Sequence, residues 1–353
     1  MKTLFINKNV GIPVDVSIIV VFRSFPNVNL ESLLNSTKRI TVKYEVILVT
    51  NYVKTGVDAQ KALLPLLEDK PNLITLRLVL MDSNVDRSAA FGRNLGAVLA
   101  NSPILLFADD DSMVLDDISS LLRHLQNGEF QGVQPLILRL ANKETIDSAG
   151  DFIKQDGKMY KPYVKGAGVQ LRELLSDLYP EEVPSLRSAF MLVKKDAFLA
   201  VGGMDNTFIF NFEDVDLGWR MTCAGYNLLF DPSIRAVHKG SRTTGEAKTI
   251  SEKVIKLGLL NLYALNLKIN TSWLWPYLLI QFQKELISYE VAAIKSKRLT
   301  LPEFFLEILT MNKNFMKRFH QARVHRGILS KNFQFKGRQR LEYMAQGKRF
   351  LCR

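Results

Sequence analysis

The chain has 353 residues, enough for two compact units or for one large domain with an appendage. Hydrophobic residues make up 47% and charged residues 23%, which excludes a mainly disordered chain, and two cysteines are too few for a disulfide scaffold. The net charge is +12, but the excess is local: residues 246–353 hold 20 basic and 7 acidic residues, while the first 245 are close to neutral. A boundary is therefore expected near residue 245, between units 1–245 and 246–353.

Residues 15–22 (DVSIIVVF) and 44–50 (YEVILVT) are β-branched runs of buried-strand type, with a helix expected over 30–38 between them. Residues 73–80 and 103–107 (PILLF) are two more strands, separated by an Ala-, Leu- and Gly-rich helix over 88–100. Continuous apolar strands alternating with helices predict an α/β unit, a parallel sheet covered on both faces. Ligands of such sheets bind beyond the carboxyl ends of the strands. Residues 139–187 yield no assignment. Regular structure resumes at 190–201 and breaks at Gly202-Gly203. A helix is expected over 213–224, ended by Gly225, then a strand over 227–230 stopped by Asp231-Pro232. Beyond residue 250, three helices are expected at 251–267, 277–296 and 302–323, each with apolar residues at three- and four-residue spacing.

No secretory signal is expected at the polar start of the chain. The longest apolar stretch of the tail, 273–282, contains Pro276 and is followed by Lys284, short of the roughly 20 apolar residues that a spanning helix needs. Cys223 and Cys352 match no metal-ligand spacing and are expected to stay reduced.

Three constellations carry the chemistry. Asp109-Asp110-Asp111 follows an apolar strand directly, and such a cluster repels itself unless a cation neutralises it. In extended backbone Asp109 and Asp111 point the same way, which makes them the better ligand pair for a hard divalent cation; an acidic helix cap is the alternative. Glu213, Asp214 and Asp216 open the helix after the aromatic stretch 208–212, where a carboxylate against aromatic rings acts as a base or simply complements the helix dipole. Arg220 stands one to two turns on, within reach of Glu213, Asp216 or a phosphate. His238 follows a strand, and by itself a lone histidine is more often structural than a ligand.

Taken in order, these segments resemble glycosyltransferase family 2, whose members have the GT-A fold. The resemblance covers roughly residues 14–245. It includes Gly92-Arg93-Asn94-Leu95-Gly96, the Asp-rich strand end and Asp147-Ser148-Ala149-Gly150. It continues through Val201-Gly202-Gly203-Met204-Asp205, Glu213-Asp214-Val215-Asp216 and Val237-His238-Lys239-Gly240-Ser241. The tail, with Trp275-Pro276-Tyr277, is similar to the helical extensions of the rhamnosyltransferase-like branch. The resemblance implies a Rossmann-like, mostly parallel mixed sheet with a C-terminal α-helical extension. It implies an inverting, metal-dependent transfer of sugar from a nucleotide-sugar donor to a lipid-linked or cell-surface glycan acceptor. Asp109 and Asp111 would then be the DxD motif holding Mg²⁺ or Mn²⁺, and His238 a further metal ligand. Asp214 would be the catalytic base, with Glu213 beside it as the alternative. Donor-binding positions would be Val21, Arg23, Asn51, Arg93 and Asp110. The family's usual Pro-Thr-Tyr-Asn after the first strand is here Val21-Phe22-Arg23-Ser24, and Thr50-Asn51 stands where an Asp often holds the nucleotide.

The tail suggests a second partner. Residues 311–353 hold twelve basic residues against one acidic, Glu342, and Trp273, Trp275 and Tyr277 are of the type found at lipid–water interfaces. An anionic membrane surface is expected, with the enzyme cytoplasmic and peripheral. Nucleic acid is not expected, because phosphates give no reason for Trp and Leu stripes. The alternative is that the stripes pack on the catalytic unit or in a homo-oligomer.

Overall fold

The computed structural model describes residues 2–8, 12–23, 27–50, 63–81, 88–209, 211–239, 252–270, 272–295, 298–332, 341 and 344–346. In chain order the first half contains β1 (Lys2–Lys8), β2 (Val16–Val21), α1 (Val28–Ser36), β3 (Tyr44–Thr50), β4 (Leu73–Leu80), α2 (Ala89–Leu99), β5 (Ile104–Asp109), β6 (Ser112–Val114), α3 (Ser119–Gln126) and β7 (Gly132–Arg139). Then come β8 (Ile146–Ser148), β9 (Asp151–Asp156), β10 (Met159–Val164), α4 (Leu171–Leu174), β11 (Glu181–Glu182), β12 (Phe190–Lys194), α5 (Lys195–Ala200), α6 (Glu213–Cys223) and β13 (Leu228–His238). Three long helices follow among the described residues: α7 (Glu252–Ile269), α8 (Trp275–Lys295) and α9 (Leu301–Asn332).

The main sheet has the order β1-β4-β3-β2-β5-β12-β7-β13-β11. Strands β4, β3, β2 and β5 run parallel, as their continuous apolar sequences require, and β13 runs parallel to β7. β12 is antiparallel to both β5 and β7, and β1 is antiparallel to β4. Side chains alternate between two cores. Ile19, Ile47, Val49, Leu105 and Phe107 face one side with Ala90 and Ala97 of α2 and Val215 of α6. Val20, Val46, Leu48 and Leu106 face the other with Leu30 and Leu33 of α1 and Leu121 and Leu125 of α3. The sheet is thus covered on both faces, the GT-A layering expected of an α/β unit.

Close approach fixes where α2 and α6 lie. A Cβ on Gly96 would stand 2.4 Å from Ile19 Cγ2, and one on Gly92 would stand 2.8 Å from Val21 Cγ2, so α2 rests directly on β2. At Gly218, in α6, a Cβ would stand 2.4 Å from the Cα of Ser185. That neighbour is backbone and cannot rotate away.

One sequence expectation needs correction. The strand expected to stop at Asp231-Pro232 continues as β13 to His238, because its register against β7 shifts between Asp231 and Arg235 and takes up the proline in the irregularity. The regular segment 190–201 is two elements, β12 turning directly into α5. The unassigned stretch 139–187 holds the β9–β10 hairpin and short pieces paired to β7 and β13.

The expected tail helices are present as α7, α8 and α9. Tyr263, Leu278, Phe282, Leu286, Met311 and Phe315 form their shared core. Ala264, Leu265 and Ile269 of α7 also join the core beneath α2 and α6. Substituting Gly218→Ala is expected to lower stability by about 1–3 kcal/mol through overpacking, despite the ~1 kcal/mol by which alanine favours an isolated helix. Urea unfolding checks it, and an unchanged or raised midpoint would contradict the close packing.

Candidate functional site

The carboxyl ends of β5, β13 and β7 and the start of α6 converge on one cluster of charge. Arg93, buried on α2, donates from Nη2 to Asp109 Oδ1 at 2.6 Å and from Nη1 to Glu213 Oε1 at 2.9 Å. Burial alone would weaken that guanidinium's charge, but the two carboxylates outweigh it and raise its pKa. The glycines on either side of it let α2 approach β2 closely enough for this reach. Its neighbour Asn94 exchanges hydrogen bonds with the backbone of Met204, 2.7 Å from Nδ2 to the carbonyl and 2.8 Å from the amide to Oδ1. The Gly92–Gly96 motif therefore ties the acidic strand end to the loop before α6.

His238 lies at the end of β13. Its Nε2 is 3.2 Å from Asp111 Oδ1 and 3.7 Å from Asp109 Oδ2, and its Nδ1 is 3.0 Å from Asp147 Oδ2. Burial would push the imidazole down, but the hydrogen bonds to Asp111 and Asp147 and the charges of Asp109 and Asp111 prevail and raise it to about 10. Asp109 sits below the usual carboxylate range, because Arg93 and then His238 overcome its burial. Asp109, Asp111 and His238 each offer one ligand atom, and these atoms lie within 4.8 Å of one another. Two carboxylates and an imidazole suit a hard or borderline divalent cation, and Asp147 on Nδ1 is the kind of partner that orients a ligating histidine. Magnesium and manganese both fit this donor set.

Asp110 is turned elsewhere. Asn27, which caps α1 by accepting from the amides of Asn29 and Leu30, donates from Nδ2 to Asp110 Oδ2 at 2.7 Å. Burial pushes Asp110 up to about 6, against that hydrogen bond and helped by the charges of Asp111 and Asp109. Val21 ends β2 opposite Asp109 in the pairing with β5, and Arg23 is exposed two residues on. Asn51 lies outside the described residues.

Glu213 and Asp214 enter α6 through two non-glycine residues in the left-handed region, Asn211 (φ 60°) and Phe212 (φ 70°). Such backbone costs on the order of 1–3 kcal/mol per residue and persists only where the surroundings hold it. Glu213 is committed to Arg93, and burial followed by the Asp214 charge raises its pKa. Asp214 Oδ2 accepts from the Ser188 amide at 3.1 Å, and Oδ1 from the Val215 amide at 2.8 Å. Beside it, Arg187 donates to Asp151 Oδ1 at 3.3 Å. Burial pushes Asp151 up to about 6, against Arg187 and reinforced by the charge of Asp214.

Arg220 pairs with neither Glu213 nor a phosphate-facing surface. It is fully buried and donates to Asp216 Oδ2 and to the carbonyls of Val201 and Gly203. Lys268 of α7 completes this layer, its Nζ 2.6 Å from both Asp205 Oδ2 and Asp216 Oδ1. Asn261 of α7 donates to the carbonyl of Asn211 at 2.9 Å and accepts from Arg318 of α9 at 3.0 Å. Sequence reasoning missed Asp147, Lys268 and Asn261 as partners of the site. The available signal was the polar recurrence of Asn261, Asn266 and Lys268 within the otherwise apolar stretch 257–269 of α7.

A family model described as glycosyltransferase like family 2 matches residues 22–242. Over 70 residues the chain is 39% identical to an N-acetylglucosaminyl-diphospho-decaprenol L-rhamnosyltransferase of Mycobacterium tuberculosis, spanning 19% of this chain and 23% of the relative. The structure is similar to that of GalNAc-T7 with UDP, GalNAc and Mn²⁺, with a TM-score of 0.53 and 16% identity over 72% of this chain and 47% of the other. The mannosyltransferase PcManGT from Pyrobaculum calidifontis, in complex with GDP-Man and Mn²⁺, matches 91% of this chain and 86% of its own at a TM-score of 0.46 and 13% identity.

Lys268→Met is expected to destabilise the protein by about 3–5 kcal/mol, since it leaves Asp205 and Asp216 buried with less compensation. Both carboxyls are held below their ordinary range, so the stability they contribute is present above about pH 4 and is lost as pH falls toward their folded values. Thermal unfolding between neutral and acid pH checks this; a variant as stable as the parent at pH 7 would contradict the pairing.

Proposed function

The chain belongs to glycosyltransferase like family 2, and on that premise we propose that it moves a sugar, with inversion, from a nucleoside-diphosphate donor to a hydroxyl of a lipid-linked or cell-surface glycan. The observation that carries this reading is the meeting of Asp109, Asp111 and His238 with Asp214 around Arg93 and Glu213 at one edge of the sheet. The rhamnosyltransferase it partly matches is named for a diphospho-lipid acceptor, and the GalNAc-T7 structure holds UDP and Mn²⁺. These support the substrate classes proposed.

Asp109, Asp111 and His238 would hold Mg²⁺ or Mn²⁺, which supplies neutralisation of the negative charge that grows on the departing diphosphate. Arg93 keeps Asp109 in place by one oxygen and leaves Oδ2 turned toward His238. Asp147 fixes the imidazole ring through Nδ1. Asp214 takes the proton of the incoming hydroxyl as its oxygen bonds to the anomeric carbon, while the bond from that carbon to the diphosphate oxygen breaks and its electron pair leaves with the nucleotide. A single displacement of this kind inverts the anomeric centre. Glu213 is the poorer base, because Arg93 already occupies its carboxylate. Ser188 orients Asp214 from its amide.

Asp214→Asn is expected to lower kcat by about 10²–10⁴ while donor affinity changes little, the pattern of an interaction made in the transition state. Equal losses in donor binding and transfer would remove Asp214 from the role of base. Asp111→Asn should abolish the protection against unfolding that UDP-, GDP- or dTDP-sugars give with Mg²⁺ or Mn²⁺. Undiminished metal-dependent protection would exclude it as a ligand.

A further inference from the structure

Helices α8 and α9 are each apolar on an outer as well as an inner side. On α9, Met311, Phe315 and Ala322 face inward, in the core shared with α7 and α8. On its outer side Leu301, Phe305, Leu309 and Met316 recur at helical spacing, and Leu309 is 69% exposed. On α8, Leu278, Phe282 and Leu286 are buried, while Ile280, Ile287 and Val291 form an outward stripe, with Ile280 63% exposed. Gln283 of α8 hydrogen-bonds Asn312 of α9, so the two helices lie side by side. A surface helix needs one buried stripe for packing, and a second, outward stripe across two adjacent helices has no explanation in the fold.

We propose that the outer faces of α8 and α9 dock on an anionic membrane surface. Charge selects this occupant over a second copy of the chain. Lys313, Lys317 and Arg323 are exposed on α9, and Lys284 and Lys295 on α8. On these two helices the five exposed cations stand against two exposed acids, Glu285 and Glu303, so two copies meeting here would oppose like charges, whereas an anionic leaflet attracts them. No helix among the described residues is long and apolar enough to cross a membrane, so the pair lies in the interface plane. Trp273, 70% exposed at the entry to α8, has Lys158 Nζ 6.0 Å from its ring, an aromatic–cation pair of the kind that sits at headgroup level.

The surface does not depend on the transferase reading, and its test needs neither donor nor acceptor. The full chain is floated with vesicles of phosphatidylcholine alone or mixed with phosphatidylglycerol. Binding is expected to the anionic vesicles, with release at high salt and poor binding to the neutral ones. The double variants Leu301→Ser/Leu309→Ser and Lys313→Glu/Lys317→Glu alter exposed positions only, so their thermal unfolding should match the parent. Each should bind anionic vesicles about tenfold more weakly or worse. No binding by the parent, equal binding to neutral vesicles, or undiminished binding by both variants overturns the proposal. So does a stable dimer in sedimentation that the leucine variant dissociates, because a second copy would then be the occupant.

Discussion

Carboxylates repel one another, and three successive aspartates crowd the open edge of this sheet, the first of them joined through Arg93 to a helix that begins with two more acids. Two like charges 4 Å apart cost about 4 kcal/mol at an effective dielectric constant of 20, so the edge is stable only where cations are interleaved. Arg93 is the first of these. It joins Asp109 on β5 to Glu213 on α6, two elements far apart in the chain, and so fixes the width of the gap between strand end and helix. His238, whose imidazole pKa is raised against its burial by Asp111 and Asp147, is the second, lying between them. Metal binding would need the neutral imidazole, so a divalent cation held by Asp109, Asp111 and His238 would supply the compensating charge in place of the proton.

The backbone serves that arrangement. Arg93 reaches Asp109 because α2 lies closer to β2 than any side chain at Gly92 or Gly96 would allow. The glycines and the arginine of the motif thus have one purpose, distance. On α6, Gly218 lets the helix settle against Ser185, next to the Ser188 amide that binds Asp214. The left-handed pair Asn211 and Phe212 then turns the chain into the helix so that consecutive acids have different partners, Arg93 for Glu213 and Ser188 for Asp214.

The sequence made the parallel strands legible because both faces of the sheet are covered, leaving uninterrupted apolar runs such as VSIIVV and YEVILVT. The acidic cluster was legible for a related reason, since ionisable residues are conspicuous at the end of such a run. The partners of those acids were less so. Asp147 and His238 are 91 residues apart, and their contact arises because β7 pairs with β13 in parallel and also carries β8, on which Asp147 lies. The continuation of β13 past Asp231-Pro232 was hidden for a similar reason: a proline reads as a stop unless the partner strand tolerates a register shift. Lys268 reads in sequence as a solvated charge at a helix end, and only the burial of Asp205 and Asp216 behind α6 gives it a partner.

Charge composition placed a boundary near residue 245, yet the contacts across it are among the most buried in the molecule. Lys268 neutralises two carboxylates behind the helix that carries Asp214. Asn261 holds the carbonyl of Asn211, the first left-handed residue before that helix, and Arg318 holds Asn261. Arg318 also lies 5.1 Å from the ring of Phe208, and Lys268 lies 4.8 Å from the same ring. A left-handed turn of non-glycine residues relaxes if its supports are withdrawn, so the conformation that presents Glu213 and Asp214 depends on helices outside the sheet unit. The exposed cations and the buried polar contacts of these helices therefore lie on different sides. One side meets the acids of the catalytic unit through Lys268, and the other leaves Lys284, Lys313, Lys317, Arg323 and Leu309 facing outward.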